Sequence, residues 1–282
     1  MLRGIYTGAS GMIAQMHRMD AVANNLANVD LVGYQRDVAT FKSFPEMLMR
    51  RSCDDGEYVF PFGSVDTMPI VGKLGTGTEL NEVFTVFDQG AMKQTENDFD
   101  FALDGKGFLT VETLDGERYT RNGSFLLNPE GYLVTKSGDY VLGENGPIQL
   151  QKYNFVIDQD GVLYRDPTFA GDAARLVSVN EVTWENIERI DRLKIVHMEQ
   201  PRYLQKQGNS YWKTTENSGP AVIIPDDQRP KVNQGFLEAS NVNPVTEMVH
   251  MIEVNRAYEA NSKVIQTHDS LAGKVINEVM RL

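Results

Sequence analysis

The sequence predicts an α+β fold: long N- and C-terminal helices pairing as a coiled-coil domain, with an antiparallel β-domain inserted between them. Three observations predict it. Apolar residues recur at alternating three- and four-residue steps at both ends of the chain, the spacing of a coiled-coil seam. Between the ends the period drops to two, and turn glycines follow one another at Gly116, Gly123, Gly131, Gly138 and Gly146. After Asn243-Pro244 the chain runs on with no further Pro and a single Gly, Gly273.

The first element spans residues 1–36. Ile5, Ala9, Met12, Met16, Met19, Ala23 and Leu26 form a two-row apolar seam. Gly4, Gly8 and Gly11 weaken this helix by about 1 kcal/mol each relative to Ala, so it needs partners to form. Asn24, Asn25 and Asn28 favour capping and turn conformations and end it near Asn28. Residues 37–97 read as an extended linker or hairpin region. Phe41, Phe44, Met47 and Leu48 suggest a short amphipathic turn, 52–77 a Gly/Pro-rich excursion, and Leu80 to Phe87 a strand.

Residues 98–200 read as the β-domain. Phe99, Phe101 and Leu103 alternate with polar or small residues, and Asp115-Gly116 and Asn145-Gly146 are tight-turn pairs. The part from 181 to 196 fits helix and strand equally. Residues 201–235, punctuated by Pro201, Pro220, Pro225 and Pro230, read as a return linker.

The last element, 236–282, is a second seam. Met248, Met251, Tyr258, Ile265, Ala272, Ile276 and Val279 carry the apolar steps, and Asn255, Ser262 and Asp269 occupy the same seam. Polar groups at such positions cost stability but fix register and partner number. A second row, Val254, Ala257, Val264, Leu271 and Val275, lies beside it, so this helix has two adhesive faces. The seam residues of both ends, together with Asn24, Asn25 and Asn28, are the candidate assembly interface. A long helix lying over a globular core is the competing account of the same spacing.

The net charge of −12 is concentrated in the middle of the chain. Residues 1–51 carry +2 and residues 236–282 carry −2, so near-neutral ends suit packing against copies and the acidic middle suits water. No basic stripe offers a nucleic-acid surface. Cys53 is the only cysteine, which excludes an intrachain disulfide or a cysteine metal cluster. No run of eighteen apolar residues is long enough for a membrane span, and no cleavable leader pattern is visible.

Catalytic motifs find no foothold. His17, His197, His250 and His268 lack metal-ligand spacing. Asp98, Asp100 and Asp104 lack the closing Glu and the glycine of a calcium loop. Gly72-Lys73-Leu74-Gly75-Thr76-Gly77 lacks the spacing of a phosphate loop, and no Gly-x-Ser-x-Gly elbow occurs. No cofactor is expected.

With both ends side by side, the chain resembles the flagellar basal-body rod and hook family of bacterial axial proteins. Asn24-Asn25-Leu26-Ala27-Asn28 followed by Gly33-Tyr34-Gln35-Arg36 is similar to the N-terminal rod signature, departing at Tyr34 and Gln35, where Phe and Lys are more usual. Gly235-Phe236-Leu237-Glu238, Ser240-Asn241-Val242-Asn243 and Arg256-Ala257-Tyr258-Glu259-Ala260-Asn261 resemble the C-terminal signature. Asp98 to Phe108 and Tyr119 to Phe125 resemble the central β-domain, most like proximal-rod members, with distal-rod or hook-type members next.

The resemblance implies a non-enzymatic structural subunit that polymerises through its terminal helices, with the β-domain facing outward. It implies passage through the flagellar type III export apparatus without a cleaved signal peptide, and residence in the periplasmic basal body. Its partners would be copies of itself and other axial proteins. A peptidoglycan hydrolase and a secreted acidic β-adhesin are the rival classes. The first needs a catalytic carboxylate or metal cleft, and the second has no use for terminal heptads.

Overall fold

The computed structural model describes residues 2–51, 59–60, 63–64, 69–150, 155–165 and 187–279. The chain forms two units. One comprises residues 1–24, 37–83 and 245–282, the other residues 25–36 and 84–244.

The first unit holds most of two helices, α1 (Leu2–Ala27) and α2 (Pro244–Val279). Both boundaries follow local chemistry. α1 gives way after Ala27 to turns closed by the Asn28 and Val29 N–H groups on Asn25 and Leu26 carbonyls. Pro244 opens α2, where its fixed φ suits the first helical position and its missing N–H costs nothing. With 36 residues, α2 is about 54 Å long.

The same unit holds a long ribbon. Asp37–Ser43 pairs with Thr78–Thr85, and Met47–Arg50 pairs antiparallel with Ile70–Leu74. The amphipathic turn expected over 37–51 is therefore two strands. Val38, Thr40 and Phe41 favour extended backbone, and their pairing partners lie some forty residues away, as in Thr40 Oγ1 donating to the Glu82 carbonyl. Of the excursion at 52–77, the strands Val59–Phe60, Gly63–Ser64 and Ile70–Leu74 are described and much of the remainder lies outside the described residues.

In the second unit a nine-stranded antiparallel sheet dominates. Its main path runs Phe125–Leu127, Leu133–Thr135, Tyr140–Val141, Phe108–Thr113, Gly116–Thr120, Tyr211–Lys213, Gln205–Lys206. Ile195–His197 joins it against Phe108–Thr113 and carries Val222–Ile223 on its other side. A three-stranded sheet is built from Phe155–Ile157, Val162–Arg165 and Glu188–Arg192. Four of the five expected turn glycines, Gly116, Gly131, Gly138 and Gly146, take φ between 86° and 132°, where a side chain is disfavoured. Gly123 does not, and is instead a place of close approach, where a Cβ would lie 1.7 Å from the Phe101 carbonyl oxygen.

Three expectations change in detail. The alternation at Phe99–Leu103 is lost, because Phe101, Ala102 and Leu103 are all buried, so both strand faces are covered. The ambiguous 181–196 stretch resolves, from 188 onward, into strands Glu188–Arg192 and Ile195–His197; 181–186 lie outside the described residues. The stretch 201–235 contains four strands, and its Trp212 is a core residue, edge-on to Phe87 and Phe108. Among the described residues no helix is long and apolar enough to cross a membrane.

Candidate functional site

The second unit gathers both signature stretches around one carboxylate. Glu238 ends strand Phe236–Glu238 and is 1% exposed. Its Oε2 accepts from Arg121 Nη1 at 3.2 Å, and its Oε1 accepts from Gln35 Nε2 at 3.2 Å and from the Gly90 N–H at 3.1 Å. Arg121 also donates to the Gly105 carbonyl at 2.8 Å and lies over the Phe108 ring. Burial lowers the Arg121 pKa, and the charge and hydrogen bond of Glu238 push it back up. A charge pair out of water survives only when its remaining hydrogen-bonding capacity is met, and these backbone and amide partners meet it.

The surrounding bonds are equally long-range in sequence. The Gly33 N–H donates to the Glu238 carbonyl, and the Arg36 N–H to Asn241 Oδ1, both at 2.8 Å. Asn241 Nδ2 donates to Gln35 Oε1 at 2.7 Å. Tyr34 and Gln35, the two departures from the usual signature, are both engaged. Tyr34 OH donates to Asn25 Oδ1, while Lys206 donates to the Gln35 carbonyl and lies 4.4 Å over the Tyr34 ring. Gly33 is required for this approach. Its φ is +67°, and a Cβ there would sit 2.6 Å from Arg121 C and Asn122 N.

In the first unit the helices meet along a glycine row. A Cβ on Gly4 would reach His268 at 2.5 Å, one on Gly8 would reach Ile265 at 3.0 Å, and one on Gly11 would reach Asn261 at 2.9 Å. Ascending numbers on α1 meet descending numbers on α2, so the two helices run antiparallel. Positions 4, 8 and 11 share one helix face, as do 261, 265 and 268. The absent side chains bring the backbones close enough for α2 side chains to fill the row.

The expected seam residues occupy varied environments. On α1 and in the turn after it, Ile5, Ala9, Met12, Met19, Leu26 and Asn28 are half-buried, Met16, Ala23 and Asn24 are exposed, and Asn25 is buried. On α2, Met251, Tyr258, Ser262, Ile265 and Ala272 are half-buried, whereas Met248, Asn255, Asp269 and Ile276 are exposed. The side chain of Val279 lies outside the described residues. Ile265 is the seam residue brought against the glycine row; Val254, from the second row, is fully buried.

Two groups escaped the sequence argument. The glycines are legible as a Gly-x3-Gly-x2-Gly row, but helix propensity alone makes them only a weakness of the helix. Arg121 and Glu238 each lie in a stretch that resembles the family, but at 117 positions apart nothing in the sequence pairs them.

Three family models match the chain in order: flagella basal body rod protein over residues 5–35, flagellar hook protein FlgE/F/G D1 domain over 102–165, and flagellar basal body rod FlgEFG protein C-terminal over 233–278. The flagellar basal-body rod protein FlgG of Borreliella burgdorferi is 32% identical over 285 aligned positions, with 100% of both chains covered. The flagellar basal-body rod protein FlgF of Caulobacter vibrioides is 30% identical, also with 100% of both chains covered. Bacillus subtilis FlhO, a flagellar hook-basal body complex protein, is 29% identical with the same coverage. The terminal matches include Gly33 and Gln35 at one end and Glu238 and Asn241 at the other, and the chain belongs to the flagellar basal-body rod protein family.

Proposed function

We propose that this chain is a structural subunit of the bacterial flagellar basal-body rod, set in its proximal part, where copies polymerise through their terminal helices into a hollow torque-transmitting shaft. One observation carries the reading. α1 and α2 lie together along the glycine row, yet each keeps apolar residues uncovered on other faces, among them Met16, Met248 and Ile276. In the shaft these faces pack against neighbouring copies, and the paired helices form its coiled-coil lining. Packed interiors are stiff and transmit strain, which torque transfer needs. Contacts that do not close on themselves generate filaments. The subunit is exported through the flagellar type III apparatus, works in the periplasm beside other axial proteins, and performs no catalysis.

A hook-type axial subunit is the second reading, favoured by the central match to a hook-protein domain. A strain lacking this chain separates the two: basal bodies without a complete rod support the first, and finished rods without hooks support the second.

The mechanism is tested by Met16→Asp. Met16 is 49% exposed, so a carboxylate there is tolerated by the lone chain but not against an apolar neighbour. Swimming is expected to stop and purified basal bodies to yield at least about tenfold fewer rods, with the near-UV circular dichroism of the purified chain unchanged. Normal swimming overturns the mechanism.

A further inference from the structure

On the face of α1 roughly opposite the glycine row, Tyr6, Ile13 and His17 repeat at steps of seven and four. They line a groove of about 580 Å³ whose far wall is Phe44 and Leu80 of the strand ribbon. Ser10 on the same helix accepts a hydrogen bond from the Thr78 N–H, and Thr7 donates to the Thr76 carbonyl, which anchors the ribbon beside the helix. Tyr6 is 70% and Ile13 55% exposed, so the groove stands open.

α2 carries a stripe with the same steps. Val264, Leu271 and Val275 are separated by seven and four and fall within about 40° of one another around the helix axis. They are 44%, 53% and 44% exposed. The stripe and the α1 groove wall each extend about 16 Å. Lys274 flanks the stripe, and Glu79 lines the groove, where Lys42 already pairs with it. The α2 of the same chain cannot fill this groove, because it is held on the other side of α1 by the glycine row.

We infer that the Tyr6–Ile13–His17 groove receives the Val264–Leu271–Val275 stripe of a second copy of this chain. The inference rests on the rod reading and gives it a specific contact. Donor and acceptor surfaces differ, so the contact is head-to-tail and leaves one groove and one stripe free at the ends of any row of copies. Such an interface propagates instead of closing into a dimer.

The test uses full-length chains with Cys53→Ala, one carrying Ile13→Cys and the other Leu271→Cys, co-expressed and recovered in assembled basal bodies. A short bismaleimide is expected to link the two in the mixed assemblies at least tenfold more than in assemblies of either alone. A chain carrying both cysteines is expected to give a ladder of multimers. Rods that form normally but show no more 13–271 product than an Ile13→Cys and Leu114→Cys control overturn the groove contact and leave the rod reading standing. Predominant Leu271→Cys self-linkage also overturns it. Absence of any assembly from the Cys53→Ala parent with wild-type grooves overturns the rod reading and this contact together.

Discussion

Replacing Arg121 with Met is expected to destabilise the chain by about 3–5 kcal/mol, the usual cost of stranding one member of a buried ion pair. Glu238 would keep the Gln35 amide and the Gly90 N–H but lose its only cationic partner among the described residues. The Gly105 carbonyl would lose a donor as well. Urea unfolding followed by near-UV circular dichroism measures the loss. The paired change, Arg121→Met with Glu238→Met, decides what the loss means. If the charge pair itself supplied the stability, the double variant would be at least as weak as the single. Desolvating two charges is expensive, however, and apolar replacements of similar volume often come out neutral or better. The double variant is therefore expected to recover more than half of the loss. Its remaining deficit reports the Gln35, Gly90 and Gly105 groups left without partners. A useful contrast is Lys194 with Glu117, 2.7 Å apart but partly in water. Breaking that pair is expected to cost less than about 1 kcal/mol, because solvent screens it.

The difference between these two pairs also separates what was legible in the sequence from what was not. Properties fixed within a few residues came through. The asparagines at 24, 25 and 28 mark the end of α1, Pro244 marks the start of α2, and four of the five turn glycines, all but Gly123, sit at positive φ. Properties fixed by distant partners did not. Asp37–Ser43 is a strand because Thr78–Thr85 lies beside it, and nothing in its own spacing announces that neighbour. Arg121 finds Glu238 across most of the second unit's length in sequence. The four strands inside 201–235 were hidden by their prolines, which mark turns reliably but leave the short segments between them unread. The assembly seam rests on period alone, and period does not say which of several adjacent faces of α1 meets its own α2. The glycine row answers that, and it lies one position away from the Ile5–Leu26 row.

Substituting Gly8 with Leu is expected to abolish rod assembly and swimming. Two effects oppose each other at this position. A non-glycine residue in the middle of a helix gains about 1 kcal/mol of helix propensity. Against that, the Cβ alone would already lie 3.0 Å from Ile265 Cγ1, and Gly8 is buried in the single chain, so three further carbons have no space. Overpacking of this kind costs about 1–3 kcal/mol, and it falls on a helix pair that must form for every copy in the shaft. Gly8→Ala is the discriminating control. It adds one carbon that Ile265 can accommodate by a small shift, and the propensity gain offsets the strain, so near-normal swimming is expected. The contact is isolated by a size exchange. Gly8→Leu combined with Ile265→Ala moves the bulk from α2 to α1 at the same point of the antiparallel pair, and is expected to restore at least part of the rod yield. Failure of the exchange, with Gly8→Leu unfolded on its own, would mean that position 8 matters to the chain for a reason other than its approach to Ile265.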